Sequence, residues 1–317
     1  MSINLVKIYI MFFRIQPIKK RLIWGSNKLT EKFNLNENNI GEYWLIGSDN
    51  LIDKDLNISL DNFAVNNSDF LYGKNNKFPR FPVLIKYIST ADWLSIQVHP
   101  DNEYARLVDK EPWGKTEVWY FLETTDRSKI IHGFKCNIKK DEIRNLLNKD
   151  IENYLNYVNV NNNDWILINP GTVHAIGPDN TILEIQMNSD ITYRLYDWNR
   201  VDFNGNKRKL DIDKAIDVIN ADNNVIIKGF NDIDINIESF QVKSLNINNR
   251  MKFDTKKKTF HIIIPIKGDI IFNEKDIIKE NSCILIPAEQ GEYNIESDMD
   301  NKCFLIYLKE GELQCQV

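Results

Sequence analysis

The chain has 317 residues, 43% hydrophobic and 27% charged, with a formal net charge of -5. This is ordinary globular composition, enough for two modest domains or one large one. The acidic balance argues against nucleic acid or an anionic membrane as main partner, so an anionic ligand needs a local basic pocket.

In chain order, residues 1–10 form a short apolar run broken by Lys7, with no small-residue cleavage site after it. The run is too short and interrupted to span a membrane and is read as an extra leader ahead of Met11. Leu22-Ile23-Trp24-Gly25 follows, in which Trp24 is either an aromatic ligand wall or a core residue. Lys28–Phe33 reads as a short helix and Gly41–Ile46 as a strand. The polar segment Asn50–Lys77 is expected to be loop with one or two helical turns. Phe81–Ile88 is a strand that places Lys86 between Leu84 and Ile88 on one face, at an edge or in a pocket.

Leu94-Ser95-Ile96-Gln97-Val98-His99-Pro100 is the most informative stretch. Strand alternation puts Ser95, Gln97 and His99 on one face and Leu94, Ile96 and Val98 on the other. A polar face of that kind makes sense lining a pocket. Asp101 can cap the helical turn that follows, and Thr116–Leu122 and Ile130–Phe134 are strands. Lys140–Val158 has apolar residues at helical spacing and is expected to be a helix. Asp164 to His174 returns to strand through a Pro170-Gly171 turn. Leu183–Met187 and Thr192–Trp198 alternate, with Glu184 and Gln186 sharing a face in the first and Thr192, Arg194, Tyr196 and Trp198 sharing one in the second. Residues 211–220 look helical. From Phe240 to Leu308 short strands and turns suggest a second all-β unit of jelly-roll type, and Ile284–Pro287 echoes Ile166–Pro170.

The fold expected is therefore mainly β: two jelly-roll barrels with a few short helices, the first over residues 11–235 and a degenerate second over 236–317. Cys136, Cys283, Cys303 and Cys315 show no C-x-x-C spacing and are read as reduced thiols of a cytoplasmic protein.

Gln97, His99, Glu117 and His174 supply an amide oxygen, two imidazoles and a carboxylate, a plausible shell for a catalytic divalent metal with room for substrate. The alternative is four unrelated core or surface residues. Lys86, Lys115, Glu184, Arg194 and Arg200 lie on or just off the same strand faces. They are either rim ion pairs, or a basic pocket for a phosphorylated substrate with one carboxylate for proton transfer. His132 and His261 are read as structural.

These segments together resemble the type I mannose-6-phosphate isomerases, zinc enzymes of the cupin superfamily, in their short bacterial form. The resemblance rests on Leu22–Gly25, Phe81–Lys86, Leu94–Asp101, Gly114–Tyr120, Gly171–Gly177, Glu184-Ile185-Gln186, Ser189-Asp190 and Thr192-Tyr193-Arg194. Order and spacing agree along nearly the whole chain from Met11. The resemblance implies zinc, one ion per chain, on Gln97, His99, Glu117 and His174. It implies Arg194 as catalytic arginine, pocket roles for Trp24, Ser95, Lys115 and Glu184, and a basic phosphate-binding residue at Arg200. It implies reversible isomerisation of mannose 6-phosphate and fructose 6-phosphate through an enediol. Glu184 is the first choice of base, with a zinc-linked water or histidine as the alternative. A non-catalytic sugar-phosphate-binding cupin is the alternative function. The partner is a small phosphorylated sugar, without nucleic acid or membrane, and the protein a monomer or weak homo-oligomer. Departures fall in turns and beside the ligands: Asn163 stands where the family has glycine, Pro178-Asp179-Asn180 replaces a glycine-rich turn, and Met187 replaces a glutamine.

Overall fold

The computed structural model describes residues 12–52, 57–74, 76–147, 151–220, 227–228, 233–237 and 240–308. The leader expected over residues 1–10 lies outside the described residues. The chain is mainly β, built from antiparallel sheets, and its contacts divide it into two units. The division is not a single cut. One unit takes the described residues of 18–44 and 83–230; the other takes those of 1–17, 45–82 and 231–317. Residues 45–82 thus group with the C-terminal strands, whereas the sequence reading put them in the first barrel.

In the first unit two sheets form the walls. One has the strand order Leu155–Asn159, Lys129–Phe134, His174–Ile176, Ile96–Val98, Tyr193–Tyr196. The other runs Ile227–Lys228, Trp165–Ile168, Glu117–Glu123, Thr181–Met187, Val83–Ser89, Ile40–Ile46, Ile18–Arg21. Alternate residues of both sheets meet in one core: Ile88, Trp119, Phe121, Ile166 and Ile182 pack with Ile130 and Ile176 from the facing sheet. The opposite face of the five-stranded sheet carries Ile96, Val98, Ile131, Ala175 and Leu195. It is covered by the helices Lys140–Leu147 and Ile212–Val218 through Ile143 and Ala215. Ile96 and Val98 therefore face the helices as expected, but Leu94, just before the strand, packs in the inner core.

Two helical expectations are corrected. The described helix is Lys140–Leu147, residues 148–150 lie outside the described residues, and after the 3-10 turn Ile151–Tyr154 the segment Leu155–Asn159 is a strand paired with Lys129–Phe134. Its apolar residues fit either period, and the free edge of the sheet decides in favour of strand. The segment read mainly as loop contains a helix of 13 residues, Leu60–Tyr72. The Ser59 hydroxyl caps it by accepting the Asn62 N–H, and Leu60, Phe63, Ala64 and Leu71 are buried. Five asparagines and aspartates within it, one of them the buried Asn67 at a kink, hid it from a composition-based reading.

The second unit repeats the two-sheet construction. Its larger sheet holds Phe13–Arg14, Ile284–Ile286, His261–Lys267, Asn301–Leu308, Phe240–Ile247 and Asp234–Asn236 in that order. Its smaller sheet holds Met251–Asp254, Glu292–Glu296, Ile270–Phe272 and Asp276–Ile278. Ile263, Ile284 and Leu305 of one sheet pack with Ile270, Phe272, Tyr293 and Ile295 of the other. His261 is buried here and bonded to the Tyr293 hydroxyl at 2.7 Å, a structural position as expected. No helix among the described residues is long and apolar enough to cross a membrane.

Candidate active site

Sheet register places the polar residues in two facing rows. Across the five-stranded sheet, His132 lies opposite His174, His174 opposite Gln97, and Gln97 opposite Arg194. Directly opposed residues project from the same face. Across the seven-stranded sheet, Glu184 is opposite both Lys86 and Trp119, and Glu117 is opposite Gln186. Turns deliver the remaining groups. Gly171 adopts φ +81, a conformation open to glycine, and its N–H donates to the His99 carbonyl at 2.8 Å, tying the His99 and His174 segments together. Gly114 lies so close to the chain that a Cβ there would sit 2.2 Å from the Pro100 carbonyl oxygen. That close approach sets Lys115 and Glu117 beside His99.

His99, Glu117 and His174 are buried, and one donor atom from each lies within 4.8 Å of the others. It is the one such group of three or more His, Cys, Asp or Glu side chains found among the described residues. Each imidazole donates its Nδ1–H to a backbone carbonyl, His99 to Ile191 at 2.8 Å and His174 to Thr172 at 2.9 Å. Both Nε2 atoms are thereby left unprotonated, with a lone pair to offer, the arrangement typical of metal-binding histidines. His99 Nε2 sits 3.1 Å from Glu117 Oε1 and has no hydrogen-bond partner among the described residues, while Glu117 Oε1 is also paired with the Lys115 ammonium at 3.0 Å. Two buried acceptors facing each other are unfavourable unless a cation lies against both. This donor set fits a divalent metal.

Burial, then the Lys115 ammonium, pushes the His99 imidazole down to about 3; burial also lowers His174. Burial alone would raise Glu117, but Lys115 at 3.0 Å and the two histidines outweigh it and hold the carboxylate ionised. The set is therefore neutral nitrogen, anionic oxygen and neutral nitrogen at ordinary pH, the protonation state a metal requires. The Gln97 amide donates Nε2–H to His174 Nε2 at 3.2 Å, while its oxygen accepts from the Ser95 hydroxyl at 3.4 Å.

Beside this group opens a cavity of about 290 Å³. Of the residues singled out in the sequence, Trp24, Lys86, Ser95, Gln97, Lys115, Glu117, His174, Glu184 and Arg194 line it. Trp24 does so while packing in the core, so both of its readings hold. The Trp119 indole N–H points to Glu117 Oε2 and Glu184 Oε2, at 3.0 Å from each, and links the metal-type group to the second carboxylate. Glu184 pairs with Lys86 at 3.1 Å, yet burial and the nearby Glu117 charge raise its carboxyl to about 7. Lys86 also faces Glu42 at 3.4 Å, and the two carboxylates keep its ammonium charged despite burial. The Arg194 Nε is buried without a hydrogen-bond partner among the described residues.

Arg200 is not among the lining residues. Its guanidinium is bound to Asp197 at 3.0 and 3.1 Å, to Asp92 at 3.4 Å and to the Trp93 carbonyl. Six polar or aromatic lining residues were not singled out as site residues from the sequence: Lys20, Glu42, Trp44, Trp119, Thr192 and Arg208. Glu42 and Trp44 alternate with Tyr43 on a strand already recognised, so a period-2 count could have flagged them. Arg208 follows a Gly-Asn turn with no local pattern and could not have been found that way.

The family model of the type I phosphomannose isomerase catalytic domain matches residues 12–120. The chain is 38% identical over 218 residues to mannose-6-phosphate isomerase of Streptococcus mutans, covering 66% of this chain and 67% of that protein. It is 30% identical over 302 residues to a probable mannose-6-phosphate isomerase of Bacillus subtilis, covering 89% and 95%. The crystal structure of the mannose 6-phosphate isomerase from Bacillus subtilis superposes with a TM-score of 0.81 at 25% identity, over 95% of this chain and all of that one. The identity and coverage of these relatives show the family, and the chain belongs to the type I phosphomannose isomerases.

Proposed function

We propose that this protein interconverts mannose 6-phosphate and fructose 6-phosphate at the cavity beside His99, Glu117 and His174. The observation that carries the reading is the buried His99 Nε2, without a partner and 3.1 Å from the ionised Glu117 carboxylate, beside a cavity rich in cations. Those two residues with His174 would hold one zinc ion per chain. Gln97 would join them by turning its amide so that oxygen, not nitrogen, faces the group. When bound, such an ion supplies the positive charge that polarises a substrate oxygen and steadies the enediolate.

The chain's own residues carry the rest of the reaction. A proton must leave C2 of the aldose and return at C1. Glu184, with its carboxyl raised to about 7, is poised to take and return that proton near neutrality. Lys86 at 3.1 Å stabilises the carboxylate between transfers, and the Trp119 indole fixes its other oxygen. Arg194 orients the hydroxyls and offsets developing negative charge. Lys115 adds positive charge beside Glu117, Ser95 fixes the Gln97 amide, and Trp24 walls the pocket.

Catalysis belongs, in this reading, to the barrel expected over residues 11–235, with 236–317 a degenerate copy. In support, the described C-terminal strands bury His261 against tyrosine and carry no ligand cluster. The cavity is lined by one unit of one chain, which suits a monomer or weak homo-oligomer. Free thiols at Cys136, Cys283 and Cys303 suit a reducing cytoplasm; Cys315 lies outside the described residues.

Elemental analysis with Glu117→Gln tests the proposal. The native protein is expected to carry about one zinc per chain, and the variant to lose most of it together with turnover. A variant that retained both metal and isomerisation would remove the proposed ligand set. Stabilisation of the native, zinc-loaded protein by mannose 6-phosphate without turnover would favour the non-catalytic binding alternative.

A further inference from the structure

The cavity holds more positive charge than its own carboxylates neutralise, and apart from Lys20, whose ammonium lies 4.6 Å over the Trp44 ring, the excess lies in one place. Lys86 is matched by Glu184 and Glu42, and Lys115 by Glu117. Arg194 makes no ion pair among the described residues. Arg208, the other lining arginine, sets its Nε 2.7 Å from Asp197 Oδ2 and its Nη2 against Oδ1 of the same carboxylate. Asp197 is buried and also receives Arg200, whose other carboxylate partner is the exposed Asp92 at 3.4 Å, so the one buried carboxylate is shared by two guanidinium groups. Arg194 feels the shortfall: burial, then the neighbouring Arg208 charge, lowers its affinity for its proton. Adjacent cations with too few counter-charges at a cavity wall form a site for an anion, and a dianion suits them better than a monoanion.

The guanidinium geometry narrows the choice further. Arg208 uses Nε and one Nη on Asp197, which holds the plane of the fork while leaving Nη1 without a hydrogen-bond partner among the described residues and the side chain 23% exposed. An arginine held in this way is well suited to a phosphate oxygen. Arg200, where the family resemblance led us to expect the phosphate residue, has its donors occupied by Asp197, Asp92 and the Trp93 carbonyl, outside the cavity lining.

We propose that Arg208, positioned by Asp197 and acting with Arg194, binds the substrate's phosphate in this protein and thereby selects phosphorylated over free sugars. The inference rests on the isomerase reading for its substrate, but the anion site itself does not require turnover.

The test uses the full-length, zinc-loaded protein and Arg208→Gln, with Arg208→Lys as a second variant that retains charge without the fork. Inorganic phosphate binding is followed by calorimetry, and KM and kcat are measured with mannose 6-phosphate and with free mannose. A hydrogen bond to a charged group implies a rise of about 10- to 100-fold in the phosphate Kd and in KM for Arg208→Gln. The kcat is expected to fall much less, and any turnover of free mannose to be unaffected. Arg208→Lys should recover part of the loss, and Asp197→Asn should weaken phosphate binding in the same direction. Folding is checked by melting temperature, and the lysine variant keeps the question open to test if glutamine unfolds the loop. Unchanged phosphate binding in Arg208→Gln would overturn the proposal, as would a larger effect from Arg200→Gln. Phosphate binding that depends on Arg208 in a protein that does not isomerise would sustain the anion site and reject the isomerase reading, so the two failures are distinguishable.

Discussion

At the scale of single residues, the site depends on what each buried group is denied. His99 and His174 spend Nδ1–H on carbonyls and keep Nε2 unprotonated; Glu117 is held ionised by Lys115; Glu184 is pushed the other way. Two carboxylates that share one indole N–H are thus driven to different protonation behaviour, one suited to hold a cation and one to exchange a proton. Replacing Arg194 with alanine should leave zinc content intact and reduce kcat by about 100-fold or more, as for other preorganised charge stabilisers. Full turnover with zinc bound would rule out its catalytic role. In the second unit, burial lowers the His261 imidazole to about 4. The unfolded chain takes up that proton near pH 6.5, so the neutral histidine's contribution is complete above this value and is lost as pH falls towards 4. The shift corresponds to roughly 3 kcal/mol. Urea unfolding of the native protein and His261→Gln between pH 7.5 and 4.5 should give a shallower pH dependence for the variant; parallel curves would contradict the assignment.

Elements carry these residues to one place, and they differ in how far the sequence disclosed them. Alternation was enough to place the strands bearing Lys86, Gln97, Glu117, Glu184 and Arg194, although Lys86 shares its face with Leu84 and Ile88, and Glu117 with Trp119 and Phe121. It failed at Leu155–Asn159, where two periods fit the same apolar residues and only a neighbouring strand edge decides. It also failed at Leu60–Tyr72, where polar composition masked a capped helix. The departures from the family pattern proved compatible with the backbone: Asn163 and Asp179 both adopt positive φ, which short polar side chains tolerate better than other non-glycine residues. Gly114 has no such latitude. A Cβ there would also meet the Asp101 backbone at 2.5 Å, so Gly114→Ala must displace the segment leading to Lys115 and Glu117. We expect a loss of about 1–3 kcal/mol in stability and weaker zinc retention, measured by thermal unfolding and chelator competition. An unchanged zinc affinity would show that this close approach does not position Glu117.

For the molecule as a whole, the mainly β character and the two-sandwich construction were legible, because short alternating strands with turns between them have few other solutions. The grouping of residues 45–82 with the C-terminal strands was not, since nothing local in a helix-containing insertion says which core it covers. The ligand-bearing segments were legible as a set of residue types, but their convergence is a property of sheet register: His174 against Gln97, Gln97 against Arg194, Glu184 against Lys86. Arg200 and Arg208 mark the limit, since sequence position favoured one and the fold brought the other to the cavity. The most direct test of the account is to incubate the purified protein with mannose 6-phosphate and follow fructose 6-phosphate, untreated, after chelation, and after zinc is restored. Product that forms, disappears with the chelator and returns with zinc is the result the account predicts. A folded, zinc-loaded protein that forms no fructose 6-phosphate would contradict it.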